Sequence, residues 1–341
     1  MLVTADEAIQ SPDRSANADL RIRRFRGEPD LAALAVLMNR HWAADGVAQR
    51  TSVAILRNEL EHLSHFEPRR DLVVVGDGER IVAAARHYYE RLSGGGVSHR
   101  LSGWVDPDVR GQGLGRLLLD FQERRARETS LALPAERHWA DAWLPLACVA
   151  AVRLFERAGY RPIRTFFEMR RPTPDPPPID LPPELVVRPA RPGDHARIVA
   201  ADDEAFRDHW AHTVASEAEV ARILGDPRTD PGLWQIAWDG DEVAGLVLVS
   251  LGPVDLAGPA DRLGWLDSVA VRRPWRRRGL ASALVARALS ALGERGVVEA
   301  ALLVDADNPS GAVRLYERLG FRIAERFGVY RKDLTDPREQ P

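Results

Sequence analysis

A short pattern that occurs twice constrains the fold of this 341-residue chain more than any other feature. An apolar run ends at Val271, an arginine- and glycine-rich turn follows it, and a helical pattern starts after Gly279. The same order occurs around Val105 and Gly113. The first turn of a helix has unpaired N–H groups and the positive end of the helix dipole, which together bind phosphate. We therefore expect a phosphate-binding turn in each half of the chain.

The order of predicted elements around this turn is also repeated. In each half, the sequence predicts a strand, two helices, three strands, a helix, a strand, a helix and closing strands. This repeated order indicates an internal duplication. Between the halves, 172–183 reads P-T-P-D-P-P-P-I-D-L-P-P, and proline lacks the N–H that helices and central strands need. We therefore predict a flexible tail over 1–19, an N-terminal domain over 20–171, a semi-rigid linker over 172–183 and a C-terminal domain over 184–341.

Composition narrows the class of protein. Hydrophobic residues make up 45% and charged residues 28%, a globular balance, and the net charge of -3 gives no reason to expect nucleic acid as a partner. Cys148 is the single cysteine, so no internal disulfide can form. The first twenty residues lack an apolar core, and no run approaches the length that spans a bilayer. We expect a cytoplasmic protein with no membrane partner, and a monomer, because the duplicated chain is its own pseudo-dimer.

These motifs resemble those of a known superfamily. Two runs resemble the acetyl-CoA-binding motif of the GNAT acetyltransferases, namely Arg276-x-x-Gly279-x-Ala281 and Arg110-x-x-Gly113-x-Gly115. A third run resembles the second GNAT signature and reads Asn308-x-x-x-Ala312-x-x-Leu315-Tyr316-x-x-x-Gly320-Phe321. The tandem arrangement with a proline-rich join is similar to the mycothiol synthase group, although Trp265 stands where that group's glutamate is expected.

The resemblance implies an α/β fold with two tandem domains, each a splayed mixed β-sheet flanked by helices. It also implies acetyl-CoA as co-substrate, held in the splay between the fourth and fifth strands of a domain. The implied CoA-binding residues in the second half are Val269, Ala270, Val271, Arg276, Arg277, Arg278, Gly279, Leu280, Ala281 and Asn308. A candidate second CoA site in the first half comprises Val105, Arg110, Gly111, Gln112, Gly113, Leu114 and Gly115.

Comparison of the two halves indicates where the chemistry occurs. The resemblance implies Tyr316 as the acid that protonates the CoA sulfur, and the alternative is a tyrosine that only packs the helix. Asp267, on a predicted strand, is a candidate general base, and the alternative is a strand-edge aspartate paired with an arginine. At the positions of Tyr316, Asn308 and Asp267 the first half has Phe155, Ala147 and Leu101. We therefore expect a catalytic C-terminal domain and a degenerate, non-catalytic N-terminal domain.

The resemblance also implies an acceptor pocket near Asp208, His209 and Trp210. Acidic residues suit a cationic amine, and Trp210 could supply a cation–π wall. For the nearby acidic run 202–204 we favour a solvated helix end over a place in this pocket. The pairs His62-x-x-His65 and His209-x-x-His212 lack further ligands, so we expect no metal. The run 111–115 is not a dinucleotide fingerprint, because it lacks the opening βαβ unit.

Together these features predict an acetyl-CoA-dependent N-acetyltransferase. Its acceptor would be the primary amine of a small molecule, which attacks directly in a ternary complex because no activated serine or cysteine is in evidence. The alternative is a non-catalytic acyl-CoA-binding sensor or scaffold, since the apolar replacements in the first half show that the fold can persist without chemistry. Free-thiol release with a panel of amines discriminates between the two.

Overall fold

A computed structural model describes the backbone of 7–8 and residues 20–77, 80–135, 137–214, 216–252, 263–308 and 310–335. The chain forms two compact units. The N-terminal unit comprises Met1–Ile163 and Gly328–Pro341, and the C-terminal unit comprises Arg164–Phe327.

The N-terminal unit is built on a mainly antiparallel sheet. Its strands are β1 (Glu7–Ala8), β2 (Arg21–Arg24), β3 (Leu72–Gly76), β4 (Ile81–Arg91), β5 (Val97–Val105), β6 (His138–Pro145) and the first residues of β7 (Arg161–Pro172). Its helices are α1 (Glu28–Ala44), α2 (Val53–His62), α3 (Pro68–Asp71), α4 (Leu114–Ala132) and α5 (Val149–Arg157). Neighbouring strands from β1 to β5 pair antiparallel, and β5 and β6 pair parallel. Buried clusters that include α1 and α2 residues on one side and α4 residues on the other indicate helices on both faces of the sheet.

The C-terminal unit repeats this order. Its strands are β8 (Val186–Arg188), β9 (Gln235–Asp239), β10 (Glu242–Leu251), β11 (Leu263–Val271), β12 (Glu299–Asp305) and the first half of β13 (Arg322–Asp333). Its helices are α6 (His195–Phe206), α7 (Glu217–Gly225), α8 (Leu280–Glu294) and α9 (Ala312–Arg318). Strands β8 to β11 pair antiparallel in sequence order, and β11 pairs parallel with β12. The predicted helical stripe is confirmed, since Leu280, Leu284, Ala288 and Leu292 are all buried in this unit's core.

The two units do not divide at the proline-rich segment. The chain passes from one unit to the other at Ile163 and returns at Gly328. Strand β7 pairs antiparallel with β12 of the C-terminal unit from Phe166 to Pro172, so this unit contains a strand that the sequence places in the N-terminal domain. Thr173 donates its backbone N–H to the carbonyl of Val298 at 3.0 Å. The segment 172–183, taken as a linker from its sequence, therefore lies within the C-terminal unit.

The closing strand makes the reverse exchange. Residues 328–333 of β13 belong to the N-terminal unit, where Arg331 forms a bidentate ion pair with Asp141 of β6 at 2.6 and 2.7 Å. Sequence patterns identify strands but carry no information on which sheet a strand joins, so the predicted domain bounds of 20–171 and 184–341 differ from the units here. Of the predicted tail 1–19, the described part is β1, which pairs with β2. No helix in the described ranges is long and apolar enough to span a bilayer.

Candidate active site

The two parallel strands of the C-terminal unit diverge. They pair only where 263–265 of β11 lies beside 299–301 of β12. Beyond this point β11 continues to pair with β10, whereas β12 continues to pair with β7. The carboxyl ends of β11 and β12 therefore splay apart, and α8 and α9 follow these two ends. This topology places the glycine-capped start of α8 after the end of β11 and the helix that carries Tyr316 after the end of β12.

The turn between β11 and α8 has the geometry that phosphate binding requires. Gly279 caps α8 in the left-handed conformation at φ 79, which glycine adopts without steric cost. A Cβ built at Gly279 would meet no atom within 4 Å, so the space over the helix start is open. Gly113 caps α4 in the same conformation at φ 84, so both halves have this turn.

The arginines of the turn differ in what they contact. Arg276 donates to the carbonyl oxygens of Val271 at 2.9 Å and Ala205 at 3.0 Å, so its guanidinium joins the turn to α6. Arg278 pairs with Glu184. Arg277 has φ 62, an unusual value for a residue with a side chain, and no described residue pairs with its guanidinium. Arg276 and Arg278 are therefore engaged by other groups of the protein, whereas Arg277 is not paired within the described residues. CoA binding by this turn, including the backbone up to Leu280 and Ala281, stays a prediction.

Asp267 lies in a β-bulge of β11. Leu248 of β10 faces Ser268 and Val249 faces Leu266, which leaves Asp267 as the extra residue. Its Oδ1 accepts a hydrogen bond from the hydroxyl of Ser250 at 3.0 Å. The residue keeps solvent access, yet desolvation by the surrounding protein raises the pKa of Asp267 to about 6. A carboxyl in this environment can accept a proton near neutral pH.

Tyr316 is buried in the core of the C-terminal unit. Its ring packs edge-on against Phe321 with a centroid separation of 5.9 Å. Burial raises the pKa of Tyr316 well above its ordinary value, so the phenol stays protonated. Among the described residues no group forms a hydrogen bond with its hydroxyl, which leaves that proton free to be donated.

The candidate acceptor residues have separate environments. His209 lies 3.4 Å from Asn308, measured from Nε2 to Nδ2, and stacks edge-on with Phe206. The ring of Trp210 lies 6.0 Å from the guanidinium carbon of Arg164, so a cation of the protein itself is already beside it. Asp208 is exposed and pairs with Arg273 at the surface of the unit.

Asn308 does not cap a helix. Its Oδ1 accepts from the N–H of Ser310 at 2.8 Å, whereas the N-cap of α9 is Gly311. Asn308 therefore lies in a turn that precedes α9, with the His209 ring beside its amide nitrogen.

Sequence reasoning missed two residues near the candidate base. Asp202, taken as part of a solvated helix end, accepts a hydrogen bond from Ser268 at 2.5 Å, and burial raises the pKa of Asp202 to about 6. Its signal was present, because Asp202 follows Ile198 by four residues on the buried stripe of α6. Ser250 was missed because a serine within a strand of apolar residues gives no indication of its partner.

The equivalent positions of the N-terminal unit are apolar or committed to other contacts. Leu101 is buried, and Phe155 packs edge-on against Tyr160 at 5.0 Å. Arg110 pairs with Asp45 at 2.6 Å, and the Cys148 thiol lies 3.4 Å from the same carboxylate. Burial raises the pKa of Cys148, which keeps the thiol neutral. This unit keeps the glycine turn without the polar groups of its counterpart.

The described ranges contain no group of three or more histidine, cysteine or carboxylate side chains placed to hold a metal ion. Three histidines of the N-terminal unit do contact one another in a row, with nitrogen separations of 3.0 Å from His87 to His99 and 3.1 Å from His99 to His138. Burial lowers the pKa of all three, that of His99 to about 3. These lowered pKa values favour the neutral form of all three imidazoles.

A splayed mixed sheet with a glycine-capped helix after the fourth strand defines the class of acyl-CoA-dependent acyltransferases with the GNAT fold. The Acetyltransferase (GNAT) family model matches residues 196–321, and an Acetyltransferase (GNAT) domain model matches residues 68–162. This chain belongs to the GNAT N-acetyltransferase family as a tandem protein with two such domains.

Relatives that align with this chain over most of their length support the assignment. The mycothiol acetyltransferase of Geodermatophilus obscurus is 31% identical over 297 residues, which covers 85% of this chain and 90% of the relative. That of Tsukamurella paurometabola is 31% identical over 265 residues, covering 76% and 87%.

Solved structures agree on the fold. A GCN5-related N-acetyltransferase from Sphaerobacter thermophilus has a TM-score of 0.70 at 29% identity, covering 97% of this chain and 98% of that one. A tandem GNAT protein from the clavulanic acid biosynthesis pathway has a TM-score of 0.68 at 18% identity, covering 94% and 99%. The predicted fold class and family are confirmed.

Proposed function

We propose that the protein is an acetyl-CoA-dependent N-acetyltransferase whose C-terminal unit acetylates the primary amine of a small molecule. The observation that carries this proposal is the splay between β11 and β12, with an open, glycine-capped turn at one strand end and the buried phenol of Tyr316 after the other. The names of the relatives favour a mycothiol-related amine as acceptor. We also propose that the enzyme acts in the cytoplasm as a monomer.

The residues of the site are suited to binding CoA. Amides at the start of α8 would hold the pyrophosphate, Val269, Ala270 and Val271 of β11 would pair with the pantetheine arm, and Asn308 would contact it from the opposite strand end. Acetyl-CoA supplies the activated acyl group. The N-terminal unit has the same turn at Gly113, which makes it a candidate second CoA site without catalysis.

Asp267 and Tyr316 provide the two proton movements that acyl transfer requires. Asp267 accepts the proton from the acceptor's ammonium, directly or through a water, and so frees the nitrogen lone pair. The nitrogen then bonds to the thioester carbonyl carbon, and a backbone N–H of β11 stabilises the oxyanion. Tyr316 donates its phenolic proton to the sulfur as the carbon–sulfur bond breaks. The nitrogen of the new amide releases its second proton to water, and the Tyr316 phenolate regains a proton from water, which leaves a neutral amide, a free thiol and the phenol restored.

Gly279→Glu and Gly113→Glu test this assignment with identical changes in equivalent turns. We expect Gly279→Glu to abolish acetyl-CoA turnover, because a carboxylate would occupy the open space over the helix start of α8 and repel phosphate. Gly113→Glu should keep activity within a fewfold of the wild type. The measurement is thiol release from acetyl-CoA with a panel of polyamines, amino sugars, aminoglycosides and peptide N-termini. Equal loss in both variants would contradict catalysis by the C-terminal unit alone. The absence of thiol release with every acceptor in the panel would favour a sensor or scaffold.

Arg277→Gly separates the guanidinium from the backbone of the turn. Glycine adopts the left-handed φ of this position freely, so the turn should persist, while loss of one charge-assisted phosphate contact should raise the KM for acetyl-CoA about tenfold. Arg278→Ala is the matched control, because Arg278 is engaged by Glu184, and its KM should change less than threefold. Equal KM values for both variants and the wild type would show that the amides alone bind the phosphates.

A further inference from the structure

Two serine–aspartate pairs lie next to each other across β11. Ser250 of β10 donates to Asp267, and Ser268 of β11 donates to Asp202 of α6. The bulge makes this arrangement possible, because it inserts Asp267 as an unpaired residue beside Ser268. Each carboxyl therefore has its own hydroxyl donor, and the two can be tested separately.

Ser250 is held firmly in place. It is 5% exposed, its backbone pairs with Trp265 of β11, and an isolated bridge joins it to Thr229. A hydroxyl fixed on a rigid central strand restricts the side-chain conformations that its partner can adopt. Asp267, by contrast, sits where a bulge bends the strand and leaves its own backbone less constrained.

We propose that Ser250 is a positioning residue for acetyl transfer, which orients the Asp267 carboxyl in the bulge and stabilises its ionised form. The proposal rests on the proposed function, since it assigns Asp267 the role of base. A hydroxyl that donates to a carboxylate favours the charged state, which is the state that accepts a proton.

The other charged groups that act on Asp267 come from α7 and the segment that follows it. Arg222 and Arg228 lower the pKa of Asp267, and Asp226 raises it, while desolvation is the largest influence. Arg228 and Asp226 are paired with each other at 2.6 Å, so their charges shift the pKa of Asp267 in opposite directions from neighbouring positions. The hydroxyl of Ser250 is the remaining directed contact that favours the carboxylate.

The first test is the pH dependence of kcat/KM in the full chain with the best acceptor from the panel. A base that must be ionised gives an acid limb, expected near pH 6 in the wild type because the pKa of Asp267 is raised to about 6. Ser250→Ala should move this limb upward by about one pH unit, because the carboxylate loses a donor. Ser250→Thr keeps a hydroxyl and should restore the wild-type limb.

Ser268→Ala is the matched control, since it removes the equivalent hydroxyl from Asp202. Its acid limb should stay at the wild-type pH. A limb that moves in Ser268→Ala and not in Ser250→Ala would overturn the proposal and identify Asp202 as the titrating group. A uniform loss of rate at every pH in Ser250→Ala, with no displacement of the limb, would also overturn it, because that result indicates a structural role alone.

A second readout does not depend on activity. The ¹³Cγ chemical shift of Asp267, assigned with an Asp267→Asn variant, reports its protonation directly, and its midpoint should rise by about one pH unit in Ser250→Ala. An unchanged midpoint would overturn the proposal. A shifted midpoint in a protein that acetylates none of the amines would retain the Ser250 contact and reject the proposed function instead.

Discussion

Tyr316→Phe is expected to lower kcat by about 10²–10⁴-fold, which corresponds to roughly 3–5 kcal/mol of barrier. The substitution removes the phenolic proton and keeps the ring that packs against Phe321, so the core of the C-terminal unit should be preserved. Affinity for acetyl-CoA should change little, because the donated proton matters mainly in the transition state. Steady-state kinetics with a direct CoA-binding measurement would separate the two effects.

Burial shapes this acid in two ways. It raises the pKa of Tyr316, so the phenol remains protonated across the neutral range and contributes no basic limb to the pH profile below pH 10. The same desolvated surroundings disfavour a free thiolate, which raises the demand for a proton at the sulfur.

Phe155→Tyr in the N-terminal unit is the matched control for Tyr316→Phe. It places a phenol at the equivalent position, where Leu101 and Ala147 provide no partners, so activity should remain at the wild-type level. A kcat within twofold of wild type in Tyr316→Phe would show that another group, such as a water, protonates the sulfur.

Much of the fold could be predicted because it depends on local signals that occur twice. The apolar stripe of α8 and the glycines at 113 and 279 indicate helix and turn geometry directly, and both glycines adopt the left-handed conformation. The assignment to the family followed from the same positions. These features are properties of short segments, so a single sequence contains them.

The remaining features depend on contacts between distant segments. The sequence predicts Arg276 as a CoA-binding residue but gives no sign of its hydrogen bond to the carbonyl of Ala205, which lies 71 residues earlier on α6. The bulge at Asp267 arises from its pairing with β10 and has no signature within β11 itself. The exchange of β7 and β13 between the units also depends on distant contacts. The residue pattern of each strand is equally compatible with pairing inside its own half of the sequence.

That exchange leads to the second large expected effect. A chain that ends at Phe327 should lose the structure of the N-terminal unit, although the deletion lies at the far end of the sequence. Residues 328–333 supply the strand beside β6, and Arg331 in that strand neutralises Asp141, which is 1% exposed. Hydrogen exchange by mass spectrometry should show lost protection in peptides of β4, β5 and β6. A chain that ends at Thr335 is the control and should keep wild-type protection.

Arg331→Met tests the same point without shortening the chain, in case the truncated protein does not accumulate. Asp141 also accepts a hydrogen bond from Ser98 at 2.6 Å, but this neutral donor does not replace the bidentate guanidinium. Removing one partner of a buried ion pair leaves an uncompensated charge, so the free energy of unfolding of the N-terminal unit should fall by about 3–5 kcal/mol. Urea unfolding followed by peptide-resolved hydrogen exchange locates the loss. If protection fell only in peptides of the C-terminal unit, the assignment of the closing strand to the N-terminal sheet would be wrong, and each domain would be a continuous stretch of sequence after all.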